Sequence, residues 1–252
     1  MYSRCMAISL GRVCDLVRYP VKSMAGVPTD SAHLGWHGLD GDRRYALRRI
    51  GDDSGFPWLQ ASRFAHLVLY HPIGHDDSST EPLPTHVRTP GGEELELRSR
   101  ALQTEISERS GIGVEVMRLR QGVFDDASVS VINASTISGI GREAGEPELD
   151  RRRFRANIVL DNGPADTFLE DEWIGGTLVF GEGEQCAAVS VTMRDLRCVM
   201  LNIDPDTGGQ DPHIMKSVVR LNGNNAGVYG TVVQTGNIFV GQQVTLIPRA
   251  RR

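Results

Sequence analysis

Cys198 draws attention because Arg197 directly precedes it and Arg194 lies nearby. A thiol flanked by guanidiniums leans toward thiolate, the form that ligates metals or attacks electrophiles. One thiolate does not make a zinc site, which needs further ligands close by. It suits a soft metal whose other ligands come from a cofactor. The same residue also reads as an inert packed cysteine, the common fate of a free thiol. A second group is Arg153-Phe154-Arg155-Ala156-Asn157. As part of a strand over 154–160, it puts Phe154, Ala156, Ile158 and Leu160 on a core face and Arg153, Arg155 and Asn157 on the other. Two guanidiniums and an amide on one face suit a phosphate or another polyanion, and a solvated outer face equally well. Read in the same way, a strand over 198–203 buries Val199, Leu201 and Ile203 and leaves Cys198 opposite.

Other arrangements carry no chemistry. Asp204-Pro205-Asp206-Thr207-Gly208-Gly209 resembles the start of a calcium loop, but its twelfth position is Met215 rather than a bidentate Glu. Gly139-Ile140-Gly141 has no βαβ unit around it and is not a dinucleotide fingerprint. His33/His37 and His71/His75 are four apart, but Gly35, Pro72 and Gly74 break any helix that would align them. Ser190 and Ser217 lack a nucleophile-elbow setting. Cys5, Cys14, Cys186 and Cys198 form no C-x-x-C pair.

The elements that must position these residues read as short strands. Alternating or β-branched runs cover 13–19, 44–47, 67–70, 128–132, 177–180, 187–191, 227–234 and 243–247, besides the two strands above. A helix covers 101–110 and ends at Gly111. Asn133 is placed to cap a second helix through the Ser138 region, and Pro147 opens a short turn before Arg153. With 28 Gly and 12 Pro in 252 residues, the chain turns often. The fold class is therefore mainly β with a few helices (α+β), in a closed or folded-over sheet.

Composition sets the outer bounds. The 40% hydrophobic and 23% charged content is that of a soluble globular protein. A formal net charge of −5 lacks the basic footprint of a nucleic-acid binder. The apolar run near the N-terminus stops at Leu10, too short for a signal peptide or a membrane span. The expectation is a cytoplasmic protein with free thiols and no nucleic-acid or membrane partner.

Several motifs go further by resemblance. Tyr19-Pro20-Val21-Lys22-Ser23-Met24-Ala25-Gly26 resembles the opening of the N-terminal β-barrel domain that precedes MOSC domains, and Asp42-Arg43-Arg44-Tyr45 resembles its next signature. Phe154-Arg155-Ala156-Asn157-Ile158-Val159 is similar to the family's F-R-P-N-[IL]-V. Arg197-Cys198 through Asp204-Pro205-Asp206-Thr207-Gly208 is similar to R-C-x-x-x-x-[IV]-D-P-x-T-G. Gly227-Val228-Tyr229 and Gly236–Gly241 match its closing pieces in order and spacing. The family includes the mitochondrial amidoxime-reducing component and related bacterial reductases.

The resemblance implies an N-terminal β-barrel-like domain over 8–122 packed on a MOSC barrel over 123–249. It implies a molybdenum cofactor (molybdopterin) with Cys198 as metal ligand and catalytic thiolate. Lys22, Ser23, Arg43, Arg155 and Asn157 would hold the cofactor, with Ser130 and Ser135 in a more weakly aligned segment. The implied reaction removes oxygen from N-hydroxylated or N-oxide small molecules. No cysteine-rich domain follows the barrel, so electrons are expected from a separate ferredoxin, cytochrome or flavoprotein. Departures are Ala156 where the family has Pro, and Thr192-Met193-Arg194-Asp195-Leu196 where some members carry a second cysteine. A cofactor or sulfur carrier, and a MOSC-like barrel repurposed for another ligand, are the alternatives.

Overall fold

The structure, a computed structural model, describes residues 7–76, 78–163, 166–183 and 185–249. Cys5 and Asp77 lie outside the described residues. The chain is mostly β, with three α-helices among those residues: α1 (Arg100–Ser110), α2 (Ala134–Ala144) and α3 (Pro212–Asn222).

Seven strands close into a barrel. In spatial order they are Ile158–Asp161, Val129–Asn133, Asn225–Gln234, Ala187–Leu196, Thr177–Phe180, Gln243–Ile247 and Ile8–Arg18, and the last pairs back onto the first. Only the Val129–Asn133 to Ile158–Asp161 pair is parallel. Closure needs a bend in the first strand, where the register shifts between Ser9 and Gly11. Gly11 has φ 117°, and a Cβ there would lie 2.1 Å from Asp161 O. Only glycine allows that approach. Inward-facing Val13, Leu16, Val131, Ile158, Leu178, Phe180, Val189 and Val228 fill the interior, as period-2 alternation demands.

Two further cores flank the barrel. Helices α2 and α3 cover one side through Ile137, Ile140, Ile214 and Val218, against Phe154 and Leu201. Residues from the first half form the other core around Val21, Met24, Leu47, Leu59, Tyr70, Leu102 and Ile106. The two halves interlock: the first long strand completes the barrel, and Ser31–Gly35 pairs with Gly236–Phe239. No described helix is long and apolar enough to cross a membrane.

Three strand expectations are corrected to 3-10 turns. Residues 67–70 belong to the turn Ala65–Leu69, which buries Leu67 and Val68. A four-residue apolar run has no period that separates strand from turn. In place of a strand over 154–160, a turn Arg151–Phe154 is capped by the Asp150 side chain, Arg155 takes the left-handed conformation, and the strand begins at Ile158. Face alternation therefore fails here: Arg153, Arg155 and Asn157 point to three different partners. Residues 198–203 form the turn Val199–Asn202 instead of a strand. Val199 is 53% exposed rather than core, while Leu201 and Ile203 are buried in different cores. The turn divides its apolar side chains between two layers, which an extended segment with one inner face would not do.

Asn133 does stand at the N-cap of α2, but its side chain makes no cap bond. Its amide donates to Glu170 Oε2 at 3.0 Å instead.

Candidate functional site

The two cores that flank the barrel meet at the segment Cys198–Ile203, beside a cavity of about 390 Å³. Lys22, Ser23, Arg43, Arg155 and Cys198, separated by up to 176 residues in sequence, all line it. Lys22 and Ser23 leave the first barrel strand in a tight turn, with Lys22 N donating to Tyr45 O at 2.8 Å. Arg43 N donates to Tyr19 O at 2.8 Å, and Arg155 N to Arg152 O at 3.2 Å.

Ser23 (φ 69°), Arg43 (φ 49°) and Arg155 (φ 51°) all have left-handed backbones. Among the described residues only Phe168 and Asn224 join them as non-glycine cases, and Asn224 O accepts from Arg197 N at 2.7 Å. Each such residue costs about 1–3 kcal/mol. Four of these five positions therefore bear on one cavity, the pattern of strain held at a functional site.

Tyr19 anchors the basic wall. The guanidiniums of Arg155 and Arg43 lie 4.3 and 4.7 Å from its ring centroid. Arg43 pairs with the buried Asp42 and donates from Nη2 to Arg155 O at 3.2 Å. Arg155 Nη1 donates to Met24 O at 2.7 Å. No carboxylate among the described residues pairs with Arg155, and burial lowers its pKa to about 10. Burial also lowers Lys22, against the opposing pull of Asp125 at 2.8 Å. Arg153 is held by Asn202 O at 3.0 Å and Asp204 at 2.8 Å. Arg155 thus makes no direct ion pair among the described residues; Asp42 and Asp125 act on it only from beyond contact distance.

On the opposite wall, Asp195 is 1% exposed. Its Oδ2 accepts from Ser130 Oγ at 2.9 Å and lies 2.9 Å from Arg197 Nη2. That approach is close in distance but poorly directed for a hydrogen bond. Arg197 is fixed elsewhere, Nε donating to Ala226 O at 2.7 Å and Nη1 to Phe154 O at 2.6 Å. Burial pushes Asp195 up to about 6, although Arg197 and Ser130 pull it down. Tyr229, also on the lining, is pushed up by burial and by Asp195.

The remaining sequence-selected residues lie outside the lining. Ser130 stands behind Asp195. Asn157 ties strands together, its Oδ1 accepting from Ser130 N at 3.2 Å and its amide donating to Val17 O at 3.2 Å. Ser135, at the start of α2, donates to Asp166 O at 3.4 Å. Sequence reasoning passed over Gln60, Ser62, Asp125 and Asp195. For Asp195 a signal existed: it stands two residues before Arg197 in an extended segment, on the same side of the backbone. A smaller cavity of about 250 Å³, largely apolar, lies across the wall made by Arg153, Arg155 and Met200. No cluster of three His, Cys, Asp or Glu side chains fit to hold a metal exists among the described residues.

Fold and site define a two-part β protein with a basic cleft opening beside an exposed cysteine. The chain matches the MOSC domain over residues 117–245 and the MOSC N-terminal beta barrel domain over residues 10–127, and it belongs to the MOSC-domain family. The YUAD protein from Bacillus subtilis has the same fold, with a TM-score of 0.51 and 16% identity, covering 96% of this chain and 97% of that one. YiiM from Geobacillus stearothermophilus (21% identity, TM-score 0.35) covers 48% of this chain and 55% of its own. YiiM from Escherichia coli (18% identity, TM-score 0.36) covers 50% and 56%. No curated protein matches the chain significantly.

Proposed function

We propose that this protein binds a molybdenum cofactor and reduces N-oxygenated small molecules with electrons from a separate redox protein. MOSC domains are associated in general with molybdenum cofactor binding. The single observation that carries the reading is the placement of the exposed Cys198 on the same cavity as Arg155, a part-buried guanidinium with no ion-pair partner among the described residues.

The donor set fits such a group. Withdrawing a charge from water without an ion-pair partner is costly, so the part-buried Arg155 favours an anion, and a phosphate offers the bidentate acceptors that a guanidinium fork prefers. Asp125 is 59% exposed, so it is the carboxylate an incoming phosphate would replace on Lys22. Ser23 adds a hydroxyl, and Arg43 a second guanidinium held rigid by Asp42 and Tyr19. Cys198 would supply the one protein thiolate, consistent with a soft metal whose other ligands belong to the cofactor.

When bound, the cofactor supplies the two-electron oxygen-transfer chemistry. The chain would hold and orient it, leave the cavity open at the exposed Val199 and Leu196, and provide a buried acid at Asp195. The test is molybdenum and pterin analysis of protein made in a host that synthesises the cofactor, wild type against Cys198→Ala. Near-stoichiometric metal and pterin, with metal lost in the variant, is expected, followed by turnover of benzamidoxime with a reduced dye. Wild-type protein free of both metal and pterin would sink the reading in favour of a repurposed barrel. Loaded protein without turnover would point to a carrier.

A further inference from the structure

Removing oxygen from nitrogen consumes protons as well as electrons: R–N–OH with two electrons and two protons gives R–NH and water. The electrons come from the reduced partner or dye. The cavity wall must therefore hold a proton close to where substrate sits. Among its lining residues are two carboxylates, Asp125 and Asp195. Asp125 is largely exposed and salt-bridged to Lys22, which holds it below the usual carboxylate range against partial desolvation.

We propose that Asp195 is the proton donor of this cavity, its carboxyl delivering a proton to the substrate oxygen that departs as water. The role rests on the reductase reading. The geometry sets it up from three elements. Asp195 comes from the strand Ala187–Leu196, three residues before Cys198, so carboxyl and thiol share one wall. Ser130, from the strand Val129–Asn133 on the far side of Asn225–Gln234 in the barrel, donates to Oδ2 at 2.9 Å, which leaves Oδ1 to carry the proton. Arg197 stands 2.9 Å from the same oxygen but is aimed at Ala226 O and Phe154 O. It therefore stabilises the carboxylate left after transfer without fully committing the acid to the ionised form. Asp125 and Arg43 act on the same carboxyl across the cavity, in opposite senses. Tyr229 completes the facing groups from the strand Asn225–Gln234.

Burial is the dominant influence and sets the ionisation at about 6. A donor poised near neutrality is what general acid catalysis requires. The acid form is the active one, so turnover should fall as pH rises through that value.

Two measurements test this. In protein without cofactor, infrared titration in D2O should show a protonated carboxyl band that disappears near pH 6 and is absent from Asp195→Asn. In loaded protein, the wild-type rate should fall above pH 6. Asp195→Asn should lose that limb and about 100-fold in kcat. Asp195→Glu should retain the limb, and Ser130→Ala, which removes the bond favouring the carboxylate, should move it to higher pH. The Glu and Ala variants keep the test open if Asp195→Asn folds poorly. Turnover with an unchanged pH profile in Asp195→Asn, or no carboxyl band attributable to Asp195, overturns the proposal alone. Loaded wild-type protein without turnover removes the reductase reading and this role with it.

Discussion

Replacing Arg197 with Met should be among the most damaging single changes in the cavity wall, and the cause should be traceable to Asp195. Arg197 has a 9% exposed side chain, donates to two carbonyls, Ala226 O and Phe154 O, and forms an ion pair with Asp195. A methionine fills much of the volume but leaves two carbonyls without their donor, at about 1–3 kcal/mol each where burial keeps water away. It also breaks a buried ion pair, which costs about 3–5 kcal/mol because the remaining charge is uncompensated. Allowing for non-additivity, the total is about 4–6 kcal/mol, a large share of the roughly 5–15 kcal/mol that holds a folded protein together. Asp195 can limit the damage by taking up a proton. Its folded-state pKa already lies above the unfolded value, and without Arg197 it rises further. The deficit of Arg197→Met against wild type should therefore be largest at pH 8 and shrink as pH falls and the carboxyl protonates. Urea unfolding at pH 5 and pH 8 reads both effects. Arg197→Met combined with Asp195→Asn should lose less at pH 8 than Arg197→Met alone, since the orphaned charge is gone. A deficit under about 1 kcal/mol, or a double variant that loses the sum of the two singles, would refute the coupling.

Other expectations concern backbone and space. Ser23→Gly should raise the thermal midpoint by relieving a left-handed serine worth about 1 kcal/mol, while Ser23→Val lowers it, because a β-branched residue fits φ 69° worst. Gly141→Ala in α2 should destabilise in chemical unfolding, although Gly→Ala in an open helix gains about 1 kcal/mol. The new Cβ would lie 2.4 Å from Glu146 O and 2.9 Å from Leu149 Cβ. Gly139→Ala meets Thr167 Oγ1 at 2.5 Å, a side chain that can turn aside, so its loss should be smaller.

Much of the scaffold was legible in the sequence. Period-2 alternation marks the strands around Val13, Val129, Thr177, Ala187, Val228 and Val244 because one side of each faces a barrel interior. Helix α1 announces its end through Gly111, which takes φ 68°. The strands at 154–160 and 198–203 failed for a common reason. Their apolar residues are shared between different cores, so the period seen along the chain is not that of a single buried face.

The sequence by itself determined which side chains are present to do chemistry and which short stretches carry them: Lys22-Ser23, Arg43, Arg155 and Arg197-Cys198, each in a recognisable local pattern. Local pattern also sufficed for mainly-β architecture, since strand periodicity and turn residues act over a few positions. Only the tertiary structure decided that Arg155 lacks a carboxylate partner among the described residues while Arg43, Arg153 and Arg197 each have one. It also set Asn157 and Ser130 behind the wall and turned Asp195 into a buried acid. Those properties depend on desolvation and on charges from segments up to 176 residues apart, quantities that arise only when the chain closes on itself and excludes water.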